Sequence, residues 1–190
     1  GTNNDQRYGG GIYATGTPAR PAEVSTASLT YDLGEAHPPL SGARIYLNVA
    51  HDGAGIYANE NVAVTLRETT LQSNIATRYG GGIFLMGNAS LQMLRRYASA
   101  GLPVAVCEGR YGCNALLHNT ADFSGAALSL WNGATAHIAQ TLIAQNMSRD
   151  SIIDSYTQST QGGRTNRLTI ETSAIVDNDC TATSGSCQTI

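Results

Sequence analysis

One short string, written four times with an asparagine upstream of it, constrains this chain more than any other feature. GGGIYA at 9–14 returns as GAGIYA at 53–58, as GGGIFL at 80–85 and, more loosely, as GAALSL at 125–130. Asn4 lies 8 residues before Ile12, Asn48 8 before Ile56, Asn74 9 before Ile83 and Asn119 9 before Leu128. Asn146 and Asn178 close two further segments of the same kind, TLIAQN and SAIVDN. Successive asparagines are 44, 26, 45, 27 and 32 residues apart, a base period of 26 to 27 with about 18 extra residues in the first and third turns and about 5 in the fifth. A period that survives insertions belongs to a solenoid, because each coil touches only its neighbours and a loop can leave without breaking the stack.

Within the coil at 53–79, apolar residues alternate with polar ones: Ile56 and Ala58, then Val62, Val64 and Leu66, then Leu71. Alternation over short runs separated by Asn and Gly means short strands with one face inward. The expected fold is therefore all-β, a single-stranded right-handed parallel β-helix of about six coils with long loop insertions, one domain over 1–190. Equivalent strands about 4.8 Å apart would stack six coils to about 25 to 30 Å. Asn4, Asn48, Asn74, Asn119, Asn146 and Asn178 suit a ladder. Asn tolerates the left-handed backbone of a sharp corner, and its amide both donates and accepts along the stack. The glycines relieve crowding where one coil's backbone passes close to the next. A phosphate-cradling loop would need a helix after the glycines, which this pattern does not provide. A leucine-rich repeat fails because its apolar spacing is missing; Thr69 stands two before Leu71, where leucine is required.

At 190 residues the chain can bury a core without metals or many crosslinks. Charged residues make up only 13%, so Ser, Thr, Asn, Gln and Gly cover the surface, and the net charge is -3. All eleven basic residues are arginine, scattered apart from the pair Arg95 and Arg96. That excludes the clustered positive charge of a nucleic-acid stripe or an anionic-membrane patch. No apolar stretch is long enough to span a bilayer, and the first residues lack a signal-peptide pattern. The chain opens inside a repeat, as a mature product or a piece of a longer protein would. Cys107 with Cys113, and Cys180 with Cys187, form close pairs without zinc-ligand spacing; two local disulfides in an oxidising compartment are expected, against four free thiols in a cytosolic protein.

The stretches NIATRYGGGI at 74–83 and NTADFSGAAL at 119–128 resemble the coils of bacterial right-handed parallel β-helix repeat proteins. They are similar as well to the GGAI-type repeats of polymorphic outer-membrane proteins and autotransporter passengers. CEGRYGCNALLHNTA at 107–121 resembles a cysteine-closed insertion of that group, and DNDCTATSGSC at 177–187 a disulfide-tied coil end. The resemblance implies the fold across nearly the whole chain and an extracellular or cell-surface, bacterial location. It does not imply one activity, since the scaffold carries lyases, hydrolases, epimerases, adhesins and stalks.

Catalysis on such a scaffold calls for acids from adjacent coils, or calcium-binding aspartates beside an arginine. His51, Asp52, Glu60 and Glu68 occupy corners or strands without stacking in register, and Asp177 and Asp179 flank Asn178 as a solvated corner. His37, His51, His118 and His137 are dispersed, which leaves a nucleophilic triad without support. Thr65, Thr69, Thr70, Thr141, Thr169 and Thr172 do not recur as a T-x-T row, against an ice-binding face. No catalytic, cofactor-binding or metal residue is therefore singled out and no cofactor is expected. The function expected is a non-enzymatic extracellular structural or adhesive β-solenoid, stacking head-to-tail into a filament through uncapped ends. The alternative is a polysaccharide-binding or polysaccharide-degrading β-helix on a pectate-lyase-like scaffold, with the insertions at 16–44 and 95–113 as walls of a groove. The partners expected are further copies of the chain and a cell-surface or polysaccharide ligand, with no nucleic acid and no membrane span.

Overall fold

A computed structural model describes residues 8–25, 43–94, 113–158 and 164–181. Asn4, His37, Arg95, Arg96, Cys107 and Cys187 lie outside them. The described residues form 20 strands and no helix, four strands to a coil. The first coil is β1 (Ile12–Thr15), β2 (Ala22–Ser25), β3 (Arg44–Tyr46) and β4 (Val49–Asp52). The second is β5 (Ile56–Asn59), β6 (Val62–Arg67), β7 (Thr70–Gln72) and β8 (Ile75–Tyr79). The third is β9 (Ile83–Met86), β10 (Ser90–Leu94), β11 (Asn114–Leu117) and β12 (Thr120–Ala121). The fourth is β13 (Leu128–Trp131), β14 (Thr135–Ala139), β15 (Thr141–Ala144) and β16 (Met147–Ser148). The fifth is β17 (Ile153–Tyr156), β18 (Arg167–Glu171), β19 (Ala174–Val176) and β20 (Asp179–Cys180). Every strand pairs in parallel with its equivalent one coil away, giving four five-stranded sheets: a parallel β-helix of five described coils.

Alternation sends one side chain in and the next out, and in-register pairing stacks like on like. Ile12, Ile56, Ile83, Leu128 and Ile153 form an inward column of the first sheet, and Ile45, Leu71, Leu116, Ile143 and Ile175 that of the third. The fourth sheet stacks Ala50, Ala76, Ala121, Ser148 and Cys180, all small. Core members of the middle coils are fully buried.

The third and fourth sheets meet at a two-residue corner. Its second residue is Asn48, Asn74, Asn119, Asn146 or Asn178, and these amides bond one another. Each Nδ2 donates to the next Oδ1 at 2.9, 2.9, 3.0 and 2.9 Å in order along the stack. Each backbone N–H donates to that same oxygen at 3.2, 3.1, 2.9 and 2.9 Å. The left-handed conformation expected of these asparagines belongs instead to the residue before each: Leu47, Ser73, His118, Gln145 and Asp177, with φ between 51° and 57°. The division is physical. The left-handed residue turns the chain, and the asparagine that follows is thereby aimed inward, where Asn74, Asn119 and Asn146 are wholly buried.

The first glycine of each repeated string takes positive φ, 65° at Gly9, 61° at Gly53, 67° at Gly80 and 70° at Gly125. A Cβ at Gly82 would stand 2.6 Å from the carbonyl oxygen of Ala127, and one at Gly55 would meet that of Gly82. One insertion departs from its expected limits and the other, expected at 95–113, keeps them. The first, taken as 16–44, contains β2, so the interruption falls between Ser25 and Arg44. The second falls between Leu94 and Asn114. Both open at the corner joining the second sheet to the third, two coils apart.

Candidate ligand-binding face

The outward positions of the first sheet make two columns, Tyr13, Tyr57, Phe84, Ser129, Asp154 and Thr15, Asn59, Met86, Trp131, Tyr156. Parallel register lays aromatic on aromatic, a cross-strand arrangement that contributes beyond the area buried. Tyr13 and Tyr57 stack at 5.2 Å and 7°, Tyr57 and Phe84 at 5.3 Å and 5°. At the fourth coil the column is interrupted by Ser129, and the rings step sideways: Phe84 to Trp131 at 5.4 Å, Trp131 to Tyr156 at 4.7 Å. Tyr79, the last residue of β8 in the fourth sheet, lies 4.9 Å from Trp131 and 5.8 Å from Phe123. Ser129 is buried, accepts from the Trp131 indole N–H at 3.1 Å and donates to Asp154 Oδ2 at 3.0 Å. The middle rings Tyr57 and Phe84 are buried, whereas Tyr13, Tyr156 and Phe123 are 54%, 48% and 40% exposed.

One edge of this face carries an ion pair. Arg78 Nη2 donates to Asp52 Oδ2 at 2.5 Å, and the Tyr79 N–H donates to Oδ1 at 3.3 Å. The Tyr8 ring lies 5.0 Å from that of Tyr57 beside this pair. Burial pushes the Asp52 carboxyl above its ordinary value, against the hydrogen bond and charge of Arg78; Asp52 is 4% exposed and Arg78 remains partly solvated. Arg78 is held more firmly protonated by that carboxylate, and the Tyr57 hydroxyl is pushed well above the usual phenol range by burial. Both Asp52 oxygens are engaged and the acid is enclosed, which ties Arg78 and the Tyr79 backbone to this corner.

The other acids stay apart. Glu60 and Glu68 occupy left-handed corners at φ 57° and 50°, and Asp177 and Asp179 are exposed. His51 Nδ1 lies 2.9 Å from Thr77 Oγ1, His137 lies 3.5 Å from Glu171, and His118 is a corner residue. Among the described residues no three His, Cys, Asp or Glu side chains gather as a metal site, and no helix is long and apolar enough to cross a membrane. Neither Cys113 nor Cys180 is a free thiol.

Two features escaped the reading of the sequence. The aromatic column was in reach, since Tyr13, Tyr57 and Phe84 each follow the isoleucine of the repeated string. The Asp52–Arg78 pair was as well, because each lies 4 residues after its ladder asparagine. In comparisons with known proteins, no family model matches this chain, and no match is found among curated proteins or solved structures.

Proposed function

We propose that the chain is a non-enzymatic structural or adhesive β-solenoid of a bacterial cell surface. The observation that carries this reading is the outward aromatic row: rings in mutual contact, stacked from Tyr13 to Phe84 and tilted from there on, with half-exposed Tyr13 and Tyr156 at its two ends. Large amphipathic rings held by their neighbours lose little freedom on contact and are favoured at interfaces. The acid on this face, Asp154, accepts from Ser129, and the acid at its edge, Asp52, is committed to Arg78. The resemblance to β-helix repeat proteins of the bacterial surface agrees with it, as does an oxidised state of Cys113 and Cys180; we assign the pairings as Cys107–Cys113 and Cys180–Cys187.

The test is retention of the purified protein on a panel of insoluble acidic and neutral polysaccharides, with released reducing ends measured in parallel. Retention without product, reduced at least ten-fold in Trp131→Ala/Tyr156→Ala, is expected. Turnover abolished by Asp52→Ala or Glu68→Ala would replace this reading with the polysaccharide-degrading one. The proposal includes self-association along the helix axis, since the outermost described strands pair on one side only and Ile12, Val24, Leu168 and Ile175 there are half-buried. Sedimentation and electron microscopy decide it; a monodisperse monomer at high concentration removes the filament.

A further inference from the structure

The third sheet has an outer face unlike the others. Its outward columns begin polar, with Arg44 and Tyr46 on β3 and Thr70 and Gln72 on β7. They then become wholly aliphatic over three coils: Ala115 and Leu117, Leu142 and Ala144, Ala174 and Val176. Ala115 and Ala144 point away from the core yet are only 3% and 6% exposed, so this floor is recessed. Above it lies a cavity of about 520 Å³ that reaches from Arg44 to Asp177. A second, of about 360 Å³, adjoins its polar end and shares Arg44, Thr70 and Gln72. The five strands span about 19 Å along the helix axis at the usual strand spacing.

We infer that this groove binds a single long aliphatic chain with an anionic head group, a fatty carboxylate, with the head at Arg44 and the tail over the third to fifth coils. Three chemical arguments select that occupant. The polarity runs along the axis in one direction, cation first and hydrocarbon after, and Asp177 at the far end repels an anion placed the other way round. The sheet's backbone groups are used between coils, so the floor has no hydrogen bonds to give a peptide lying across it. Over the third to fifth coils the strands present no rings and no polar side chains, and the only polar residues lining the groove there, Gln145 and Asp177, sit at one corner, which leaves nothing to bracket a sugar ring. This inference stands apart from the adhesive reading and survives its failure.

Isothermal titration with monomeric sodium palmitate, below its micelle concentration, tests it on the intact protein. Palmitate is expected to bind, and laurate, four methylenes shorter, to bind at least ten-fold more weakly, since each buried methylene is worth roughly four-fold in affinity. Ala144→Trp fills the groove from its outer face and is expected to abolish binding while leaving the melting temperature unchanged. Leu117→Gln serves the same purpose should that variant fail to fold, with at least a ten-fold loss expected. Arg44→Gln should weaken palmitate at least ten-fold and leave hexadecanol unaffected. No palmitate binding, equal affinity for laurate, wild-type affinity in folded Ala144→Trp or in Leu117→Gln, unchanged palmitate affinity in Arg44→Gln, or binding to anionic vesicles alone overturns the inference.

Discussion

Asn119 uses its amide in every direction open to it. Its Oδ1 accepts from the N–H and the Nδ2 of Asn74, while its own Nδ2 donates to Asn146 Oδ1 and to the Leu71 carbonyl. Asn119→Ala strands buried donors on Asn74 and should cost about 3 kcal/mol or more in urea unfolding, since each orphaned buried group costs about 1 to 3 kcal/mol. Asn48→Ala, half-buried and removing only one donor from Asn74 Oδ1, should cost about 1 kcal/mol by the same measurement. Equal losses at the two positions would mean that the ladder carries no special weight. Gly82→Ala makes a separate prediction, because the added Cβ meets a backbone oxygen at 2.6 Å that no rotamer can move. A loss of about 1 to 3 kcal/mol is expected for such overpacking, and unchanged stability would show that the coils slide apart freely. The ladder positions were legible because one residue type recurs. A second row was not: Thr69, Asn114, Thr141 and Ser173 each stand 5 residues before a ladder asparagine, but their types differ. Chemistry unites them, since Asn114 Oδ1 accepts the Thr69 N–H at 3.0 Å and Ser173 Oγ the Thr141 N–H at 3.1 Å. The left-handed corner was misplaced by one residue for a related reason. Preference for that conformation singles out Asn, whereas Leu47, Ser73, His118, Gln145 and Asp177 adopt it because the stack leaves no other path.

At the scale of strands, the alternation of apolar residues was enough to predict which side of each strand faces inward. The outward rings followed from the same alignment, but the contact of Tyr79 with Trp131 is made from another sheet. No spacing within one coil contains that contact. The change from 8 to 9 residues between ladder asparagine and repeated string has a structural counterpart in the register shift between β4 and β8, where Asp52 faces Tyr79 although Ala50 faces Ala76. The ion pair beside it yields a pH dependence of definite sign. The Asp52 carboxyl titrates above its ordinary 3.8 when folded, because burial outweighs Arg78. As pH rises past that value the unfolded chain releases the proton first, so the contribution of Asp52 to stability falls until the folded carboxyl has ionised as well. Asp52→Asn lacks this titration. Its stability relative to the natural chain should therefore rise across that window in chemical denaturation at a series of pH values. A flat trend would show that Arg78 balances burial, and an opposite one that it outweighs burial.

On the scale of the molecule, the solenoid was readable because its period outlasts its insertions, while the side from which they leave was not. Strand lengths decide that side, and the limits of β2 are not marked by any residue of the repeat. The proposed uses divide by face: rings on the first sheet for contact, a one-way polar-to-aliphatic groove on the third for an amphiphile. The rows of hydrogen bonds that run along the axis have a mechanical consequence too. Tension applied between the first and last coils loads successive layers in series and peels them at the outermost exposed edge, so the rod should yield layer by layer and not in one event. With about 3.5 Å of contour gained per residue released, single-molecule extension should show steps of about 90 Å for the shorter coils and about 160 Å for the coil that carries the second insertion. Those step lengths would spell out, in force, the same irregular spacing of asparagines with which the chain is written.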